Sequence, residues 1–478
     1  MRAMSRVALV GGLACAVVLV AAACSSREGD PTGSQVPTEP TTMPAGRVLS
    51  DGSPLPPAPD VPEGPLSDEV AGDLDAAFAS LGSGPDVNAI RRVGASGDAR
   101  VAWLMSDLLR FFPSGPVSDA AVAAFEALTA TAISDKSVWG AATDLLIGWD
   151  LPEPPGYVGW KRIPFEILEP GWAPFFADAG ADIDWRLISW GGVLIDDRPL
   201  DETDRLCPKG CIPALNDPAV TDAAGGAWYP DERIVFGVVV GGESRAYPKH
   251  IMEIHEMVND RVGRRRIGMP YCTLCGSAQA YFTDAAPEGF ETLELRTSGL
   301  LSRSNKVMYE YHTRSVFDTF LGTALSGPLH AAGYRLDMIT VVASTWGAWK
   351  AAHPDTTIIA EDGGIGRSYA LDPLRGRDDD GPIFPIGSVD PRLPVQQDVI
   401  GVIADDGTAV AFPVEAARRA MSEGTVVELA GIVLVADGSG FRTEREDATP
   451  VVSHQSFWFA WSQFQPGTLV WTPFGQNP

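Results

Sequence analysis

The sequence predicts an α+β fold: an internally duplicated, β-rich domain preceded by a small helical module. Two echoes and one change of period carry that reading. Ile234-Val-Phe-Gly-Val-Val-Val-Gly-Gly-Glu-Ser-Arg-Ala-Tyr-Pro248 is repeated as Val399-Ile-Gly-Val-Ile-Ala-Asp-Asp-Gly-Thr-Ala-Val-Ala-Phe-Pro413. Trp346, Trp349, Pro354 and Thr356 return in the same order as Trp458, Trp461, Pro466 and Thr468. Upstream of both, apolar residues recur at helical spacing, and after Asp150 short apolar runs among Trp, Pro and Gly replace that spacing.

From the N-terminus, Arg2 and Arg6 precede an apolar run from Val7 to Ala23 that meets Cys24. This is the pattern of a signal peptide over residues 1–23, followed by a cysteine placed for lipid attachment, with Ala21 where Leu is more usual. The expectation is an extracytoplasmic protein anchored to the cell membrane by a lipid on Cys24, or secreted. No later stretch is apolar enough to span a bilayer. Residues 24–64 are rich in Pro, Ser, Thr, Gly and Asp and read as a disordered tether.

Residues 65–150 form the helical module. Leu74, Ala77, Phe78 and Leu81 share one stripe, Val101, Leu104, Leu108 and Leu109 another, and Val122, Phe125, Leu128 and Ala132 a third. Gly82 to Pro85 and Phe112 to Pro116 punctuate them, which predicts three or four helices. The first α+β half then occupies residues 151–375 and the second, shorter half 376–478. Ile234–Tyr247 reads as a hairpin turning at Gly241-Gly242, and Ile251–Val258 as a helix. Gly363-Gly-Ile-Gly366 and Asp378-Asp-Asp380 read as a loop joining the halves; its acidic spacing matches no EF-hand.

The composition removes several function classes. With 36 Lys plus Arg against 62 Asp plus Glu the net charge is −26, which leaves no basic surplus for nucleic acid. No phosphate loop, dinucleotide fingerprint or Gly-x-Ser-x-Gly elbow occurs.

What the two halves share is scaffold, so what only the first half has is the better candidate for chemistry. It alone carries His255-Glu-Met-Val-Asn-Asp260, Tyr271-Cys-Thr-Leu-Cys-Gly276 and the inserted segment Ser298–Tyr309, which contains Ser304-Asn-Lys-Val-Met-Tyr309, and His353 becomes Gln465 in the echo. Together with Cys211-Ile-Pro-Ala-Leu-Asn-Asp-Pro218 and Arg245-Ala-Tyr-Pro248, these motifs resemble domain-of-unknown-function family 3179, strongly over residues 200–360 and weakly beyond. The resemblance implies a motif set and a fold and supplies no established activity. Thr273 stands where the family usually has Pro. Cys207, a position where family members often lack Cys, suggests an extra local bridge with Cys211.

Outside the leader and Cys24, four cysteines remain: Cys207, Cys211, Cys272 and Cys275. An even count outside the cytoplasm suits disulfides, within each pair or crossed. Cys272-x-x-Cys275 is equally a two-thiolate clamp, and His255 with Met308 would complete a site for a soft metal, copper or zinc. A third possibility is a dithiol cycling with its disulfide. His255 and Asn259, four apart, would share a helical face, with Glu256 and Asp260 beside them as candidate acid, base or supporting groups. The functional expectation is therefore an envelope lipoprotein with a Cys/His site for metal or redox chemistry and a small-molecule or envelope partner. The alternative is a non-catalytic binding module stapled by disulfides, with a ligand cleft between the repeats.

Overall fold

The computed structural model describes residues 47–133, 137–202, 206–377 and 381–473. The expected signal peptide, Cys24, the first part of the expected tether and Asp378–Asp380 lie outside the described residues. The described part of the expected tether, residues 47–64, is held against the helices. Val48–Leu49 pairs with Ser388–Val389, and Leu49, Leu55 and Val61 pack on the helical core. Trp149 Nε1 donates to Pro56 O at 2.8 Å, and Arg100 to Gly64 O at 2.8 Å. A proline-rich strap forms few backbone pairs, and side chains reaching out from the helices satisfy these carbonyls.

Six helices follow: Asp68–Ala79, Val87–Gly94, Ala102–Phe111, Pro116–Thr129, Val138–Trp149 and Tyr157–Leu168. Ser67, Asp86 and Ser137 cap three of them through their side-chain oxygens, and Pro116 opens a fourth. The predicted stripes are buried through Phe78, Leu104, Leu108, Phe125 and Leu128, while Val122 is half-buried and Ala132 falls exposed beyond its helix. Against the expected three or four helices, residues 65–150 hold five among the described residues, because Val138–Trp149 is apolar on most sides and shows no clean stripe; Tyr157–Leu168, which contains Pro164, adds a sixth beyond the expected module. The core of this layer continues through Trp172, Trp185 and Ile195 to Leu300, Val307 and Tyr309 of the β region.

The duplication is visible strand by strand. One sheet runs in the order Val342–Thr345, Ile234–Val240, Glu243–Pro248, Thr357–Ile359, with Val220–Asp222 added at the edge. The other runs Ser453–Phe457, Asp398–Ile403, Ala409–Pro413, Leu469–Val470. Each has two antiparallel contacts and then a parallel one. The register agrees as well: Val235 opposes Pro248 as Val399 opposes Pro413, and Gly237 opposes Val342 as Gly401 opposes His454. The first hairpin turns through Gly241 and Gly242, both at positive φ, whereas the second takes the longer route Ala404–Thr408.

In each repeat a tryptophan lies flat on the hairpin glycine and is pinned by a threonine. Trp349 Nε1 donates to Thr356 Oγ1 and Trp461 Nε1 to Thr468 Oγ1, both at 2.9 Å. The Trp-x-x-Trp pairs are fully buried, as scaffold should be.

One sequence expectation fails here. The stretch Ile251–Val258 is not a single helix: the helix Lys249–His255 ends at Glu256, which takes φ 50°, and Met257–Val262 leaves as a strand. Helical spacing could not distinguish a short helix followed by a buried strand, because both bury Met257 and Val258. His255 and Asn259 therefore share no helical face.

Candidate functional site

The motif residues of the first repeat converge on the strand pair Met257–Val262 and Arg265–Cys272 and on the antiparallel pair Leu295–Ser302 and Asn305–Glu310. Some of them are structural ties. Asp260 accepts from Arg245 at 2.7 Å and from Tyr247 at 2.7 Å, locking the hairpin to the next sheet. Asn259 Nδ2 donates to Asn216, Glu294 and the Leu295 carbonyl, and its Oδ1 accepts from the Leu295 amide. Those contacts saturate both side chains.

Further in, Asp196 is fully buried between Arg198 and Arg296. Burial works against its charge, but Arg198, Arg296 and the Ala214 amide hold its carboxyl below the usual carboxylate range. Cys207 and Cys211, between Asp196 and Ala214 in the chain, form a disulfide.

His255 is buried with both ring nitrogens engaged, Nδ1 at 2.7 Å from Pro213 O and Nε2 at 2.7 Å from the Tyr369 hydroxyl. Tyr369 comes from the segment that also carries Gly363–Gly366. Met308 sits in an apolar cluster with Met257, Tyr281 and Phe317, apart from the cluster that holds Cys272 and Cys275. The structure thus does not gather His255, Met308 and the two cysteines into one ligand set. Among the described residues, no group of three or more His, Cys, Asp or Glu side chains is placed to hold a metal ion.

What it does gather is a different constellation. Cys272 ends its strand, Thr273–Cys275 makes one 3₁₀ turn, and Gly276 closes it at φ 57° against the Phe457 ring. That turn points both thiols at one place: the sulfurs are 2.9 Å apart, and each also lies near Ser304 O, at 3.7 Å for Cys272 and 3.4 Å for Cys275. Beside them stand Glu256 and Lys306. The left-handed backbone at Glu256 swings its carboxylate to Thr273, whose hydroxyl donates to it at 3.1 Å. Lys306 Nζ donates to the Glu256 carbonyl and lies 3.7 Å from its carboxylate.

Electrostatics separate the members. Burial pushes the Glu256 carboxyl up, against the pull of Lys306 and Thr273. Burial also brings the Lys306 ammonium down to about 8, with Glu256 and Cys272 opposing that shift. The Cys275 thiol is pushed well up, first by burial and then by its contact with Cys272. An acid, a base and two thiols thus share a dry site in which ordinary charge states are displaced. The sequence motifs point to Glu256 and both cysteines but not to Lys306 and Thr273 as their companions. Lys306 lies inside the motif Ser304–Tyr309, and only its burial, illegible in sequence, marks it.

Residues 209–440 match the family model described as Protein of unknown function (DUF3179). Over that span the chain is similar to the DUF3179 family. The DUF3179 segment begins just before Cys211, contains every residue of the thiol site and ends inside the second repeat. No curated protein and no solved structure matches the chain.

Three buried histidines add an acid-sensitive element. Burial lowers His250, His255 and His454 to about 4 from 6.5, with arginines contributing at the first two. The unfolded chain therefore binds more protons between those values, and stability, complete above pH 6.5, falls as pH drops toward 4. Denaturant unfolding at pH 5 should show a loss on the order of 2 kcal/mol per histidine relative to pH 7. His454→Val, which installs the residue the first repeat uses at Val342, should remove its share; an unchanged pH slope would contradict the assignment.

Proposed function

We propose that this is an envelope protein, held by a lipid on Cys24, whose first repeat carries a gated dithiol–disulfide centre at Cys272 and Cys275. The observation that carries this reading is the 2.9 Å approach of two buried sulfurs beside the Glu256–Lys306 pair. A disulfide needs about 2.05 Å, a small closure of the same turn.

Cys272, which interacts with the Lys306 charge, is the attacking sulfur. It displaces one sulfur of a partner disulfide R–S–S–R, giving a mixed disulfide and R–SH. Cys275 then loses its proton, with Glu256 as the buried base, and attacks the Cys272 sulfur. The second R–SH leaves, so the partner disulfide has gained two electrons and two protons, and the pair has lost them. Both sulfurs are shut away from solvent, so exchange proceeds through opening of the Thr273–Gly276 turn and is slow.

Stranding the intermediate tests this assignment. With oxidised glutathione, Cys275→Ser should accumulate a mixed disulfide on Cys272, seen as a mass adduct, while Cys272→Ser should form little adduct on Cys275. Equal adducts on both variants would contradict this division of roles between the two cysteines.

A further inference from the structure

The duplication leaves a cleft above the hairpin glycine of each repeat, and the two have diverged. Over the second repeat, a space of about 490 Å³ is bordered by Gly401, Trp461 and His454 and edged by Arg335, Asp337, Asp405 and Arg445. Over the first, a space of about 480 Å³ is floored by Gly237 and Trp349 and walled by Phe282, Met338, Val342 and Val452. Met338, Pro450 and Val452 border both, as the partition between them.

We infer that the first-repeat cleft is a binding site for a small, uncharged, largely apolar molecule that carries one hydrogen-bonding head group, received at His353 and Asp437. Its volume falls in the range of small-molecule sites, as does the combination of an apolar lining with few polar groups at one end. The lining continues to the mouth, where Val239 and Val452 are 44% and 41% exposed.

The polar end is built from both halves. His353 Nε2 lies 2.7 Å from Asp437 Oδ1, and the His353 ring sits 3.9 Å from the Trp349 ring that floors the cleft. Arg442 stands 3.8 Å from the other Asp437 oxygen and also pairs with Glu444. Arg442 and the two carboxylates are already paired with each other there, which disfavours an ionic head and suits a hydroxyl or N–H.

The second repeat supplies the control. There Gln465 replaces His353, yet the tryptophan, glycine and threonine arrangement is retained. The scaffold therefore does not require histidine at this position. Nor does the junction between the halves, which is tied separately by Ser439 to Ser344 and to the Thr345 amide.

The probe is N-phenyl-1-naphthylamine, a neutral aromatic molecule with a single N–H, titrated into the intact protein and followed by its fluorescence. The expected result is saturable one-to-one binding. Val452→Trp, which blocks the mouth, and His353→Gln, which installs the second repeat's residue, should each weaken it at least tenfold while Tm stays within about 2 °C. Ile403→Trp, in the neighbouring cleft, should leave binding intact. Absence of saturable binding would overturn the inference, and so would binding that either of the first two variants fails to weaken. Tighter binding of the anionic analogue 8-anilinonaphthalene-1-sulfonate would overturn the uncharged head.

Discussion

Gly401→Ala should be among the most destabilising single changes in this protein, at about 3 kcal/mol or more, and should abolish expression of folded material in a marginal background. A Cβ at Gly401 would sit 2.1 Å from Trp461 Cε3 and 2.2 Å from Cζ3. The indole is held in place because its Nε1 donates to Thr468 and its ring packs against Phe320 and the buried imidazole of His454. Overpacking against a rigid, pinned ring forces either backbone displacement or loss of that hydrogen bond. Gly237→Ala meets the same obstacle, with Trp349 atoms 2.4 and 2.5 Å away, and should cost a similar amount. Urea unfolding of the two variants measures this. If either lost less than about 1 kcal/mol, the tryptophan-on-glycine contact would not be rigid.

Lys306→Met is the second large effect, and it should depend on pH. The substitution leaves the Glu256 carboxylate buried with only Thr273 to satisfy it, and removing one partner of a buried pair costs on the order of 3–5 kcal/mol. The Glu256 carboxyl is already raised in the folded state, and loss of the ammonium raises it further. The folded variant therefore takes up a proton where the unfolded chain has none, so the deficit relative to wild type is greatest above the ordinary carboxylate range and shrinks as pH falls. Lys306 itself adds a term of the same sense. With its folded value near 8 against 10.5, wild-type stability rises from pH 8 toward 10.5, and the variant lacks that rise. Unfolding curves at pH 5 and pH 8 should show the larger deficit at pH 8; equal deficits would mean that Glu256 and Lys306 are not coupled.

These two residues also mark what could and could not be read in the sequence. The repeat was legible because hairpins, aromatic-Pro closures and Trp-x-x-Trp pairs each leave a local pattern, and the register confirms Gly237 and Gly401 as equivalents. The helix-to-strand change at Glu256 was not legible. It turns on one residue adopting a left-handed conformation, which non-glycine residues do rarely and without a sequence signal. Likewise the cysteine pair was visible, but its companions were not. His255 has the chemistry of a ligand and spends both nitrogens on Pro213 and Tyr369, while Lys306 reads as a surface charge and is almost wholly buried. Spacing identifies residues that share an element; it does not show which strand pairs bring Ser304 and Lys306 to Cys272.

A redox titration of the Cys272–Cys275 pair tests the dithiol–disulfide centre most directly. The protein, expressed from its full sequence, is equilibrated in buffers of graded dithiothreitol to oxidised dithiothreitol ratio, quenched in acid, unfolded and alkylated, and the labels are counted by mass with Cys272→Ser and Cys275→Ser as references. The expected result is one reversible two-electron transition that belongs to this pair, is reached slowly from either side, and shifts in Lys306→Met. A pair that stays oxidised or stays reduced at every ratio, or a transition unmoved by Lys306→Met, would contradict it.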